Sequence, residues 1–189
     1  MRRSSLVRTL TLLTLALAAA SCASVSLEDY AEKKPGFVLE DFFSGKLVAK
    51  GALYQGDTVT RRFTADIVGT WDGDRGRLEE VFWWDDGEKQ LRTWQLEKVG
   101  PNSFVGTAGD IVGAASGEGA GNAFNWHYYL RIPMGEDSTV DVYMDDWIHM
   151  IDRSTVLNRT AMSFYGLQVG EVVLMIQKVD DGALSSGPY

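Results

Sequence analysis

The chain has 189 residues, with 26 acidic against 18 basic side chains, two histidines and one cysteine. A single cysteine excludes an intrachain disulfide, and a formal charge of −8 argues against nucleic acid and against docking on anionic headgroups through a basic patch. The length suits one domain with a substantial core.

Arg2, Arg3 and Arg8 precede an apolar run at Leu10–Ala20, about half the length needed to span a bilayer. The run ends in A-A-A-S-C, with small residues directly before Cys22. This resembles a bacterial lipoprotein signal, in which Cys22 becomes the lipid-bearing first residue of the mature protein. Ala19 stands where such signals usually carry Leu. The alternative is ordinary cleavage after Ala20, which leaves Cys22 as a spare thiol, a liability in an oxidising compartment. The lipoprotein reading divides the chain into a signal over residues 1–21, a lipidated tether over 22–36, one domain over 37–179 and a polar tail over 180–189. Without the three signal arginines, 15 basic side chains face 26 acidic ones, a formal charge of −11. Attachment to a membrane then comes from the lipid. The expected location is the bacterial envelope, facing the periplasm. Ala23 after the anchor, rather than Asp, resembles lipoproteins sent to the outer membrane.

A short helix is expected around Leu27–Lys34, ended by Pro35. From Phe37 on, runs rich in Val, Ile, Phe, Trp, Tyr and Thr are punctuated by Gly, Asp and Asn. The spacing predicts strands at Phe43–Tyr54, Val59–Trp71, Arg77–Trp84, Lys89–Lys98 and Ser103–Ala108. Along the second, Phe63, Ala65, Ile67, Gly69 and Trp71 share one face. Asp85-Asp86-Gly87 reads as a three-residue hairpin loop, which sets Phe82 opposite Gln90, Glu80 opposite Arg92 and Leu78 opposite Trp94. Glu80 and Arg92 therefore lie among Leu78, Phe82, Trp84, Trp94 and Leu96. They form either an inward pair or a half-exposed cross-strand pair.

The glycine-rich stretch Gly113–Ala123 lacks the Lys-Ser/Thr ending and following helix of a phosphate loop, and reads as a flexible connection. Phe124–Ile132 is the next strand, with Phe124, Trp126, Tyr128, Leu130 and Ile132 on one face. The stretch Asp141–Gly166 reads as two long antiparallel strands. Asp146 shares a row with Val142, Met144, Ile148 and Met150, and a carboxylate there needs a partner or a shifted pKa. Asp145 shares the other face with Tyr143 and Trp147. Asn158 and Arg159 point to opposite faces of the second strand, and either is placed to meet one of the paired aspartates. Val169–Val179 is the last strand. The predicted fold is all-β: an antiparallel, meandering, strongly curved sheet forming a lipocalin-like barrel of about eight or nine strands. A β-sandwich is the alternative.

Several stretches together resemble the domain-of-unknown-function 3833 family of envelope lipoproteins. They are FFSGKLVAKG at Phe42–Gly51, RRF at Arg61–Phe63, E-x-F-x-x-D-D-G at Glu80–Gly87, and R-x-W at Arg92–Trp94. A-x-D-I-V-G-x-A at Ala108–Ala115, G-N-A at Gly121–Ala123 and Y-x-L-x-x-P at Tyr128–Pro133 continue the pattern, and D-D-W at Asp145–Trp147, N-R at Asn158–Arg159 and F-x-G at Phe164–Gly166 complete it. The resemblance implies a calycin-type barrel and brings no established activity.

No catalytic nucleophile stands out: there is no G-x-S-x-G, and Cys22 is assigned to the anchor. His127 falls on the polar face of its strand and His149 beside Trp147 and Ile151, without zinc-site spacing. No metal or cofactor is expected. The leading expectation is a binding module for a lipid or another amphiphile. Its candidate residues are Glu80, Arg92, Trp94, Asp110, Asn122, Trp126, Tyr128, Asp146, Trp147, Asn158 and Arg159. The alternatives are a packed structural or partner-binding lipoprotein without ligand, and a hydrolase- or isomerase-like enzyme using interior carboxylates.

Overall fold

The computed structural model describes residues 25–135 and 137–179. The expected signal with Cys22 and the expected polar tail lie outside the described residues. A 3-10 turn (Leu27–Tyr30) and a one-turn helix α1 (Leu39–Phe42) precede ten strands. These are β1 (Gly45–Gln55), β2 (Thr58–Asp72), β3 (Arg75–Trp84), β4 (Lys89–Lys98) and β5 (Ser103–Thr107), followed by β6 (Ile111–Ala120), β7 (Ala123–Pro133), β8 (Thr139–Asp152), β9 (Thr155–Phe164) and β10 (Leu167–Lys178). Each pairs antiparallel with its neighbours in the chain, and β10 pairs with β1, so the sheet closes into a barrel. Closure leaves no strand edge unpaired, which makes the barrel self-contained as a folding unit.

The strand beyond the expected eight or nine is β6. The glycine-rich stretch is not a connection; most of it is part of the wall. Its small residues make room for the aromatic row of β7. A Cβ on Gly117 would lie 2.2 Å from a ring carbon of Trp126 and 2.7 Å from one of Phe124. Ala115 is fully buried in the same strand. Glycine here is required by the bulk of its neighbours, so a composition that looks like loop builds a strand.

One end of the barrel is plugged. Phe37, Leu39, Phe42 and Phe43 are buried there, with Phe37 edge-on to Phe124 at 6.2 Å. Lys178 Nζ donates to the carbonyls of Asp41, Phe42 and Ser44 at 2.8–2.9 Å, tying the last residues of α1 to β10. Trp71 Nε1 donates to the Phe43 carbonyl at 3.1 Å. The stretch expected to be a tether reaches the same end, where the Tyr30 ring packs 4.9 Å from His149 and 5.7 Å from Trp147 on the outer surface.

Toward the plugged end the inward side chains Leu47, Ala49, Ile67, Leu78, Phe104, Phe124, Val156 and Ile176 are buried. At the other end, where β1 turns into β2, β3 into β4 and β7 into β8, the inward residues change character. Leu53, Phe82, Trp84, Leu130, Ile132, Val140 and Val172 pack on the core but stay partly accessible. The barrel interior is therefore filled and stoppered below and more accessible above, where its wall is apolar.

Candidate functional site in the barrel interior

The hairpin register read from Asp85–Gly87 is the one observed: Glu80 opposes Arg92, Phe82 opposes Gln90 and Leu78 opposes Trp94. Glu80 and Arg92 point inward, at the level where the wall changes from buried to partly accessible. Their contact is loose, with Arg92 Nη1 4.0 Å from Glu80 Oε2. The close partner of Arg92 is Asp110, in the β5–β6 turn, whose Oδ2 accepts from Nε at 2.9 Å and from Nη2 at 2.7 Å. The Arg92 guanidinium also lies 5.7 Å from the Phe82 ring and 5.9 Å from the Trp94 ring.

Opposite stands a second polar group. Asp146 Oδ1 accepts from Asn158 Nδ2 and, at 2.9 Å, from the Thr160 hydroxyl. The Thr160 hydroxyl is also 3.3 Å from Asn158 Oδ1. The β8–β9 pairing, Asp146 against Thr160 and Ile148 against Asn158, puts all three on the inner face. Tyr128, buried on β7 and 5.4 Å from Trp94, adds a phenol to this level. Together these residues form a polar floor beneath the apolar wall.

The floor is rich in acceptors. One guanidinium serves Glu80, Asp110 and Asp146, and two carboxylate oxygens, Glu80 Oε2 and Asp110 Oδ1, are buried without a hydrogen-bond donor. Burial pushes Glu80 up to about 7, against the downward pull of Arg92, while Asp110 and Asp146 push it further up. Burial likewise raises Asp146 to about 6, although Asn158, Thr160 and Arg92 all favour its charge. Burial also raises the Tyr128 phenol, helped by Asp146.

The other expected residues fall elsewhere. Trp126 is inward but deep, edge-on to Trp94 at 5.8 Å, and belongs to the packed lower half. Asn122 lies in the turn at the plugged end and donates to the Met150 carbonyl at 3.3 Å. Trp147 and Arg159 are corrections. Each sits one residue from an inward neighbour, Asp146 or Asn158, so strand alternation turns both outward. Trp147 stacks on His149 at 5.9 Å, and Arg159 pairs with Glu171 on β10. His127 and Asp145 also meet outside, Nε2 to Oδ1 at 3.1 Å. Among the described residues, no group of three His, Cys, Asp or Glu side chains is placed to hold a metal ion.

Two contributors escaped the sequence reading. Thr160 lies two residues after Asn158, hence on the same face, and its hydroxyl completes the Asp146 group. Arg61 lies two residues before Phe63 and faces the mouth. Its guanidinium sits 4.0 Å from the Trp84 ring centre and pairs with Asp86 at 2.6 Å and Glu88 at 2.8 Å. Alternation along β2 carried both the signal and the direction for Arg61.

The mouth rim carries further exposed apolar residues. Tyr165, in the β9–β10 turn, is 92% exposed, and beside it an outer groove of about 620 Å³ runs along Tyr129, Tyr143 and Phe164.

Comparison with known proteins gives a family and a fold. The model of the family described as "Protein of unknown function (DUF3833)" matches residues 16–178. The S-type phycobiliprotein lyase of Guillardia theta has a similar barrel, with a TM-score of 0.53 at 11% identity over 77% of this chain and 93% of that one. No curated protein matches the sequence.

Proposed function

This chain belongs to the DUF3833 family, and we propose that it is an envelope lipoprotein whose barrel binds a lipid or another amphiphilic small molecule. The observation that carries this reading is the division of the interior. A partly accessible apolar wall of Leu53, Phe82, Trp84, Leu130, Ile132 and Val140 stands above a half-buried polar floor of Glu80, Arg92, Asp110 and Asp146, backed by the buried Asn158. Ligand sites combine these two parts, an apolar lining and a few fixed polar groups. A barrel whose interior serves only as core buries its inward side chains at both ends, whereas here those away from the plugged end stay partly accessible.

The stretch ending at Cys22 resembles a bacterial lipoprotein signal, which supports the anchor, and Ala23 supports the outer membrane as destination. The first described residues pack at the plugged end. A lipid on Cys22 would then hold the barrel by its stopper, with the mouth turned away from the anchoring bilayer. Arg61, clamped on Trp84 by Asp86 and Glu88, stands at the rim where a ligand would enter.

The test is to produce residues 23–189 in a bacterial periplasm, purify them, extract with organic solvent and identify what is released by mass spectrometry. The expected result is an amphiphile in near-stoichiometric amount, reduced when Phe82 and Leu130 are replaced by Asp. An empty, highly stable domain that takes up no added amphiphile would move the reading to a packed or partner-binding scaffold.

A further inference from the structure

The amphiphile proposed above needs a head group, and the floor has a definite preference. We infer that the barrel selects an amphiphile with a positively charged, hydrogen-bond-donating head, an aliphatic amine, over one with a carboxylate. This inference rests on the ligand-binding reading and specifies its chemistry.

Three features of the floor lead there. First, the cation it contains is already used: Arg92 spends Nε and Nη2 on Asp110 and turns Nη1 toward Glu80. A carboxylate head would have to compete with Asp110 for the same guanidinium and would crowd a further acidic group among Glu80, Asp110 and Asp146. Second, what remains unmatched is acceptor. Glu80 Oε2 and Asp110 Oδ1 are buried with no donor from the protein, and both flank Arg92. A buried acceptor without a donor costs free energy, which a ligand N–H can return. Third, the donors on the far side are committed inward: Asn158 Nδ2 and the Thr160 hydroxyl both serve Asp146. An ammonium group has three donors and no acceptor, which suits this set.

The charges facing Glu80 are Arg92 on β4, Asp110 in the β5–β6 turn and Asp146 on β8; the Trp94 indole adds a hydrogen bond that favours its ionised form, and Tyr128 is a neutral neighbour. An incoming ammonium favours the ionised form of Glu80, so binding below neutral pH should expel a proton from it.

The experiment uses residues 23–189, which contain the whole closed barrel, and three soluble probes with the same chain: octylamine, octanol and octanoate. Calorimetric titration at pH 6.5 is run in two buffers of different ionisation enthalpy, so that proton release is read directly. The expected result is that octylamine binds at least tenfold more tightly than octanoate and releases a substantial fraction of a proton. Glu80→Gln should abolish the proton release and shrink the preference several-fold. Because that change is interior, attraction of amines to the acidic surface persists in the variant and is subtracted by it. Asp110→Asn, checked for folding by urea denaturation, is the second variant and should also weaken the amine. Octanoate binding as tightly as octylamine, or an amine preference unchanged in both variants, overturns the head-group assignment and leaves the ligand-binding barrel standing. Failure of all three probes to bind overturns both.

Discussion

Arg92 donates from both Nε and Nη2 to one oxygen of Asp110, at 2.9 and 2.7 Å, while the other oxygen of that carboxylate is buried without a donor. The contact joins β4 to the turn after its neighbour β5, on the line of their pairing register. It makes Asp110, rather than the cross-strand neighbour Glu80, the principal counter-ion of the interior guanidinium. Removing the cation alone should therefore be costly. Arg92→Met leaves two carboxylates facing each other in a buried site, and stability to urea should fall by about 3–5 kcal/mol. The triple change Arg92→Met, Glu80→Gln, Asp110→Asn should recover most of that. A loss below about 1 kcal/mol in the single variant would mean that water screens the group as it does a surface pair.

The Asp146 group should respond to shape more than to charge. Asp146→Asn keeps an oxygen for Asn158 and Thr160, and should cost no more than about 1 kcal/mol near neutral pH, where the native carboxylate is held against burial. Asp146→Leu strands the Asn158 amide N–H and leaves the Thr160 hydroxyl only the longer contact to Asn158 Oδ1, and should cost about 2–4 kcal/mol in the same denaturation assay. If the two variants are equally stable, the three residues do not act as a unit.

Stability should fall as pH rises from 5 to 8. Glu80 is raised from 4.5 to about 7 and Asp146 from 3.8 to about 6 by burial. Between those limits the folded protein holds protons that the unfolded chain has lost. The contribution is thus complete below the unfolded values and disappears as pH climbs through the folded ones. Asp141 and Asp152, held below the usual range by Arg131 and by the Ser154 backbone N–H, act in the opposite sense, as acid removes what they contribute. Thermal unfolding followed from pH 3 to 9 should show an optimum at about pH 5. Glu80→Gln should flatten the decline above pH 6. A Tm that is level from pH 5 to 8 in the unaltered protein would contradict a buried, protonatable Glu80.

Gly69→Ala should unseat the stopper. A Cβ at this position would lie 1.7 Å from the Phe43 carbonyl oxygen, the same oxygen that accepts from Trp71. The backbone must move, at a cost of about 1–3 kcal/mol. The displaced aromatics should raise binding of a hydrophobic dye at the plugged end. Normal dye binding and an unchanged urea midpoint would show that the plug yields without strain.

The wall of this barrel was written locally. Period-two alternation set Phe63, Ala65 and Ile67 on one face and Val142, Met144, Asp146 and Ile148 on another, and the Asp85–Gly87 loop was enough to set Glu80 opposite Arg92. Those are relations between residues near in the chain, governed by the strand pleat and by turn geometry. The same alternation carries Arg61, which the sequence reading missed, and turns Trp147 and Arg159, which it had included, away from the interior. The glycines of β6 were misread because the reason for them, the rings of Trp126 and Phe124, lies on the next strand and acts through space.

What only the tertiary structure decided is which groups meet across the barrel. Closure of β10 on β1 is a property of the whole sheet, and it sets the Asp146 group across the interior from Arg92, whereas Asp110 reaches Arg92 along the register of the neighbouring β4–β5 pair. No local rule says whether two inward carboxylates on strands β3 and β8 will share one guanidinium, because their distance depends on the tilt and closure of every strand between them. Alternation determines which way each side chain points; the closed ring determines what it finds there.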